Sequence, residues 1–401
     1  MDIDFTSWLG LAVRWFHLML GIMWIGASFY FVWLDLALRP AKSKEDRDKG
    51  VSGEVWAVHG GGFYHKQKYL VAPEHMPPDL HWFKWEAYLT FISGFFLLCL
   101  VYYWQADLYL IDKAKLMLTP AQATFTGLGF LLGGWLFYDE LCKSKLGQNT
   151  KIFSVIWTLA LVASAWALCQ IFTGRGAFIH VGAMIGTAMT ANVFAVIIPN
   201  QKKVVAALLA GEKPDAKYGK IAKQRSMHNN YMTLPVLLIM ISNHYPMLYS
   251  GEWNWLILAG LGIASWPLRH FFNLRDLGTT NYGYAAAGIA GYILVMVAAS
   301  GAFSPPKTVT AAGEVTPAEV RQIVRTHCSG CHSDVPTHAS VTEAPKGVAF
   351  DTMEQIKLHA PRIIEQAVKS DIMPLGNETG MTDEERQKLG AGLAAQAVEK
   401  K

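Results

Sequence analysis

Cys328-Ser329-Gly330-Cys331-His332 decides how this chain is read. Two cysteines separated by two residues and followed directly by histidine form the attachment pattern of a c-type haem. The thiols make thioether bonds and the histidine ligates the iron. The motif lies downstream of a long series of apolar segments. A covalent redox group is thus tied to a part of the chain suited to lipid. The fold expected is all-α: an eight-helix transmembrane bundle followed by a small class I-like cytochrome c domain.

Upstream of the motif, stretches long enough to cross a bilayer occur at 8–36, 83–104, 121–141, 152–172, 177–199, 229–250, 253–272 and 280–302. Eight crossings place both termini on one side. The loops after the first, third, fifth and seventh segments carry Arg39, Lys42, Lys44, Arg47, Lys49, Lys66 and Lys68, then Lys143, Lys145 and Lys151, then the run from Lys202 to Arg225, then Arg269 and Arg275. The N-terminus, the Tyr249–Trp253 turn and the Gly174–Gly176 turn carry almost none. The positive-inside rule puts the basic loops in the cytoplasm and both termini outside. In a bacterial inner membrane that side is the periplasm, where c-type haem is attached. The helical domain is expected over 1–303. A Pro, Thr and Ala linker, opened by Ser304-Pro305-Pro306, covers 304–313, and the periplasmic cytochrome c domain covers 314–401. Short helices are predicted there at 317–326, 353–369 and 382–399, the last opened by Thr382 as N-cap with Asp383, Glu384 and Glu385 after it.

Apolar residues make up 52% of the chain, more than a water-soluble surface favours. The formal net charge of +4 comes from loop residues, which argues against a nucleic-acid partner. Met1-Asp2-Ile3-Asp4 is acidic where a cleavable signal would be basic, so the first segment reads as an anchor. Cys99, Cys142 and Cys169 fall in or beside apolar segments and read as packing residues.

In the C-terminal part His332 is the expected proximal ligand and Met373, in Ile372-Met373-Pro374, the sixth, with Met353 and Met381 as competitors. His327, His338 and His359 read as solvent-exposed bystanders. Among the spans, His17, His180 and His244 fall towards the outer half of the bilayer. There a pair of them would ligate a b-type haem, the alternative being ordinary interhelical hydrogen bonds. A second polar group gathers on the inner side. It includes Glu54, Trp56, His59-Gly60-Gly61-Gly62-Phe63-Tyr64-His65, Glu74, His75, His81, Lys84 and Glu86, then His228-Asn229-Asn230 and Thr233, then Arg269, His270, Asn273, Arg275 and Asp276. It reads as a pocket roofed by a mobile loop. Positive-inside charge and headgroup contact account for Lys66, Lys68 and most of the 202–225 run.

Several stretches resemble the bacterial membrane-bound urate oxidases with a cytochrome c tail. They are Arg14-Trp15-Phe16-His17, Trp24-Ile25-Gly26-Ala27-Ser28-Phe29-Tyr30, Val55-Trp56-Ala57-Val58-His59-Gly60-Gly61-Gly62-Phe63-Tyr64 and Leu80-His81-Trp82-Phe83-Lys84-Trp85-Glu86. His228-Asn229-Asn230-Tyr231-Met232-Thr233-Leu234-Pro235 and Ser242-Asn243-His244-Tyr245-Pro246 are the most distinctive. The resemblance covers essentially the whole chain. It implies oxidation of urate to 5-hydroxyisourate in purine catabolism. Electrons would pass to the fused haem and then to a respiratory acceptor, a soluble cytochrome c or a terminal oxidase, rather than directly to oxygen. On that reading urate stacks on Trp82 or Trp56 while Asn230, Arg269 or Arg275 binds its polar edge. The base is a histidine, with His228 ranked above His81 and His59, or Glu86; Asn229 lies beside it. Two other readings stay open: a quinol or other respiratory donor feeding the c haem, and a transporter with a haem-bearing redox sensor.

Overall fold

Helix α1, Phe5–Ala37, runs from near the start of the chain and is followed by a hairpin of β1, Val51–His59, and β2, Gly62–Tyr69. This computed structural model describes residues 5–69, 73, 76–300, 315–338, 341–370 and 372–398; the expected linker at 304–313, and Glu74 and His75 of the expected polar group, lie outside them. Next come α2, Trp85–Leu98, a π-helical turn at Cys99–Tyr103, α3, Pro120–Lys143, and α4, Thr150–Ile171. Helix α5, Gly174–Ala191, passes through a second π turn, Asn192–Ile197, into α6, Ile198–Leu209. Then follow α7, Ala216–Ser242, α8, Asn254–Asp276, and α9, Tyr282–Ala299. The C-terminal part holds α10, Pro317–His327, α11, Met353–Ile363, a third π turn at Ile364–Val368, and α12, Asp383–Val398.

Each of the eight expected spans coincides with a helix, and the starts follow local chemistry. Thr119 and Gln122 form a capping box around Pro120, and Asn149, Thr173, Asp215 and Asn281 cap α4, α5, α7 and α9 with their side chains. Five helical segments are long and apolar enough to cross a membrane: Trp8–Ala37, Trp85–Tyr103, Thr150–Ile171, Gly174–Leu209 and Tyr282–Ala299. Helices α3, α7 and α8 fall short because they carry the polar residues described below. Large apolar side chains point outward on α1, α4 and α9 (Trp15, Leu159 and Leu294 are 67%, 62% and 63% exposed). Tyr138, Trp157, Phe172 and Phe178 fill the core between α3, α4 and α5.

Two expectations are corrected. The 202–225 run is not a loop: α6 and the first turns of α7 occupy most of it, because Ala, Lys, Gln and Arg are strong helix formers that a hydropathy reading overlooks. Nor is the fold purely α. Residues 51–69 pair in antiparallel register, Trp56 opposite His65 and Val58 opposite Phe63, around a turn in which Gly60 and Gly61 take φ of +57° and +78°. The glycines close a tight two-residue turn instead of hinging a mobile loop.

In the C-terminal part α10, α11 and α12 surround a core of Val320, Val324, Ile356, Ile363, Leu389 and Leu393. Helix α10 starts in a Thr316–Glu319 capping box, and the Glu385 amide is 3.3 Å from the Thr382 hydroxyl at the expected start of α12.

Candidate functional site

His228, Asn229 and Asn230 are consecutive on α7, so their side chains step around the helix by about 100° each. They divide between two neighbours. His228 Nδ1 lies 2.9 Å from the Tyr138 hydroxyl, and its ring stacks on Phe153 with centroids 3.9 Å apart. Asn192, which opens the second π turn, donates to the Tyr138 oxygen and to Asn229 Oδ1, both at 2.9 Å. Arg225, only 2% exposed, closes the network, with Nη2 donating to Asp139 Oδ1 at 2.7 Å and Nη1 to Asn192 Oδ1 at 3.1 Å. The buried cation is matched by a buried carboxylate, so this face ties α3, α5 and α7 together.

The other face differs. Asn230 Nδ2 donates to Asn273 Oδ1 at 3.1 Å, and Arg269 Nε donates to Asn230 Oδ1. The Arg269 guanidinium sits 4.1 Å from the centre of the Phe29 ring. All three polar residues are buried, Asn230 completely. Among the described residues Asn273 Nδ2 has no hydrogen-bond partner and Arg269 no ion-pair partner. Asp276 acts on Arg269 at longer range but makes no direct ion pair with it; a sealed guanidinium in that state, beside an unused amide donor, suits a planar anion with acceptor atoms along its edge.

Glu86, in the first turn of α2, has its Oε2 sealed from solvent and without a partner among the described residues. Trp82 packs beside it with Trp24 and Tyr88 around Ala87, Val193 and Ile198. Phe31 meets Phe83 at 4.7 Å between centroids, two residues along α1 from the Phe29 that underlies Arg269. The other expected members stay apart. Trp56 is 62% exposed and stacks on His65, His59 lies exposed at the hairpin tip, His81 is exposed against Phe83, and Arg275 is exposed beside Phe272.

The three histidines considered for a b-type haem occupy separate surroundings. His17 faces Ser93 of α2 with Nδ1 3.0 Å from its hydroxyl. His180 is fully buried, with Nδ1 donating to the Gly176 carbonyl at 2.8 Å and Nε2 3.2 Å from the Tyr103 hydroxyl. His244 is exposed past the end of α7. Around His180 lies a polar and aromatic cluster. Arg175 Nε is 3.2 Å from both the Tyr102 hydroxyl and Asn243 Oδ1, and its guanidinium is 4.9 Å from the Tyr109 ring.

In the C-terminal part the end of α10 turns tightly. The Cys328 carbonyl accepts from the amides of Cys331 and His332 at 3.2 and 2.8 Å, which turns the motif back on itself. His332 Nδ1 donates to the Val348 carbonyl at 2.9 Å, so the neutral ring presents the Nε2 lone pair outward. Met373 and Cys328 lie on the same apolar core, and burial pushes the Cys328 thiol up to about 12. Arg386 Nη1 donates to the carbonyls of Ala367 and Met373, both at 2.6 Å, and the Met373 amide donates to the Gln366 carbonyl at 2.9 Å. Two thiols, an oriented imidazole and a fixed thioether form a donor set that fits a c-type haem. Of the competing methionines, Met381 is buried in the core at 3% exposure.

The remaining histidines of this part are not solvent-exposed bystanders. His327 is buried, with Nδ1 2.8 Å from the Thr379 hydroxyl and Nε2 3.2 Å from Glu385. His338 is half-buried, 3.0 Å from Glu378, and His359 packs edge-on to Phe350. Sequence reasoning also passed over Tyr138, Asp139, Arg175, Asn192 and Arg225. Asp139 and Asn192 carried the usable signal, a charge and an amide inside apolar helices.

Residues 4–300 match the family model described as urate oxidase N-terminal, which spans the whole of the α1–α9 part. No curated protein and no solved structure matches the chain.

Proposed function

Because the chain belongs to the urate oxidase N-terminal family, we propose that the buried Arg269–Asn230–Asn273 face is where urate binds and is oxidised. The protein is an oxidoreductase acting on urate. The single observation that carries the placement is the sealed guanidinium that makes no direct ion pair, Asp276 acting on it only at longer range, next to an amide donor with no acceptor. Urate supplies what both lack: negative charge and carbonyl oxygens in one plane.

In this reading the α1–α9 part lies in a bacterial inner membrane and urate enters from the inner side. Arg269 and the Asn273 amide hold the urate edge, and the Phe29 ring keeps the guanidinium in place and dry. Glu86 takes a proton from the ring, and Trp82 shields the same region from water. Urate and one water give 5-hydroxyisourate, two protons and two electrons. Cys328 and Cys331 would hold a haem by thioether bonds, with His332 and Met373 as axial ligands. When bound, the haem supplies a one-electron acceptor, emptied towards a respiratory acceptor.

Anaerobic mixing of the purified protein with urate tests this. Growth of the reduced c-type band is expected, and Arg269→Gln should raise the urate concentration needed for half-maximal reduction by about 10- to 100-fold. Prompt reduction by a quinol analogue with none by urate would overturn the assignment of donor. An unchanged urate dependence in Arg269→Gln would overturn the binding face.

A further inference from the structure

Among the described residues, the two parts of the chain meet at a well-defined contact. The loop after Met373 makes a short 3-10 turn, Leu375–Asn377, that lies against the helical turn Ala106–Tyr109 between α2 and α3. Gly376, at φ +61°, comes so close that a Cβ there would stand 2.9, 3.2 and 3.4 Å from the carbonyl oxygens of Asp107, Leu108 and Ile111. That is backbone against backbone, tolerable only for glycine in the left-handed region. The receiving segment is itself braced. Thr173 donates from its hydroxyl to the Tyr109 carbonyl at 2.7 Å and from its amide to the Leu110 carbonyl at 3.0 Å. Directly behind it lies the cluster of Tyr109, Arg175, Tyr102 and His180. On the other side, the loop is held by Arg386 through the Met373 carbonyl.

We propose that the 373–377 loop is a docking element. It seats the C-terminal domain on the 106–111 turn, so that electrons from urate reach the haem iron from its Met373 side. This rests on the proposed urate-to-haem transfer. One electron crosses at a time, from urate oxidised in the helical part to ferric iron, and no atom moves with it. A domain on a tether alone would find this orientation by random search. The Gly376 contact turns the search into a seated geometry and leaves the far side of the haem domain for the soluble acceptor.

A matched pair of glycines provides the test. Gly380, at φ +67°, lies three residues beyond the turn, and nothing approaches its absent Cβ within 4 Å. Gly380→Ala carries the same backbone strain as Gly376→Ala without the clash. In the full-length holoprotein, hydrogen exchange of residues 106–112 should speed up in Gly376→Ala and match wild type in Gly380→Ala. Urate-driven reduction of the c haem should slow by about tenfold in Gly376→Ala only. Reduction by dithionite and the optical signature of thioether-ligated ferric iron should stay the same in both. Equal exchange at 106–112 in the two variants, or equal slowing, would overturn the docking. If urate reduces none of the proteins while exchange still separates the variants, the functional reading fails and the docking contact stands.

Discussion

Two buried arginines, one on α7 and one on α8, do different work. Arg225 is matched by Asp139, and removing it would leave that carboxylate with only the exposed Lys143 as a partner and its Oδ1 unpaired in the interior. Arg225→Met is expected to cost about 3–5 kcal/mol of stability, read as the thermal midpoint in detergent, while the urate dependence of surviving protein stays unchanged. Adding Asp139→Leu should recover much of the loss, since the orphaned charge goes with it. Arg269 has no such partner, and its loss should appear in substrate binding instead. Outside the helical part, Glu385 offers a pH prediction. The Thr382 amide and hydroxyl, and then His327, hold its carboxyl down to about 2. The unfolded carboxyl titrates near about 4.3, so this stabilisation is complete above that pH and is lost as pH falls towards 2. Acid unfolding of the C-terminal part, followed by circular dichroism, should therefore shift to higher pH in Glu385→Gln. His327 itself read as a bystander in the sequence because its partners lie 52 and 58 residues away. No local pattern encodes such a pairing. Asn230 and Arg269 were legible by contrast, since an amide and a guanidinium in apolar helices call for a reason.

At the scale of elements, caps and apolar length told most of the story. Thr382 opens the helix that its residue type announces, and the structure adds Thr119 and Asn149 as caps of α3 and α4. The hairpin escaped because its apolar alternation is short and lies among basic residues, and α7 began early because its first turns are polar. What the periodicity of α3 could not reveal is which of its glycines matter. A Cβ on Gly127 would stand 2.5 Å from His180 Nε2, on a ring held at both nitrogens, whereas Gly129 and Gly133 face open space. Gly127→Ala should destabilise by about 1–3 kcal/mol, and Gly129→Ala should be neutral or gain up to about 1 kcal/mol from helix propensity. Thermal midpoints of the two variants in one detergent decide it. Equal midpoints would mean that His180 has room to move.

For the whole molecule, outward apolar faces on α1, α4 and α9 and buried polar clusters between α3, α7 and α8 reverse the usual partition, an arrangement compatible with lipid as solvent. The proposed orientation places the hairpin and the basic α6–α7 region inside and the C-terminal domain outside. Protease added to spheroplasts should then cut between the two parts and release the C-terminal domain, leaving the hairpin intact; loss of the hairpin with retention of the C-terminal domain would reverse the topology. The order of parts was legible in the sequence from hydropathy and one motif. Their mutual seating was not, because it depends on a single glycine meeting three carbonyls.

The three π turns among the described residues have a common position. Cys99–Tyr103 supplies the tyrosines around His180, Asn192–Ile197 supplies the amide that bridges Tyr138 and Asn229, and Ile364–Val368 supplies the carbonyls that fix Met373 and Arg386. A π turn holds one residue more than the α spiral needs. Those three spots are therefore where the chain can lose a single amino acid and keep every flanking turn in phase. Deletions elsewhere in the same helices would rotate whole faces out of place. A deletion scan should find tolerated folding with selective loss of electron transfer at these three windows, marking the spare residue in each as one kept for chemistry rather than for architecture.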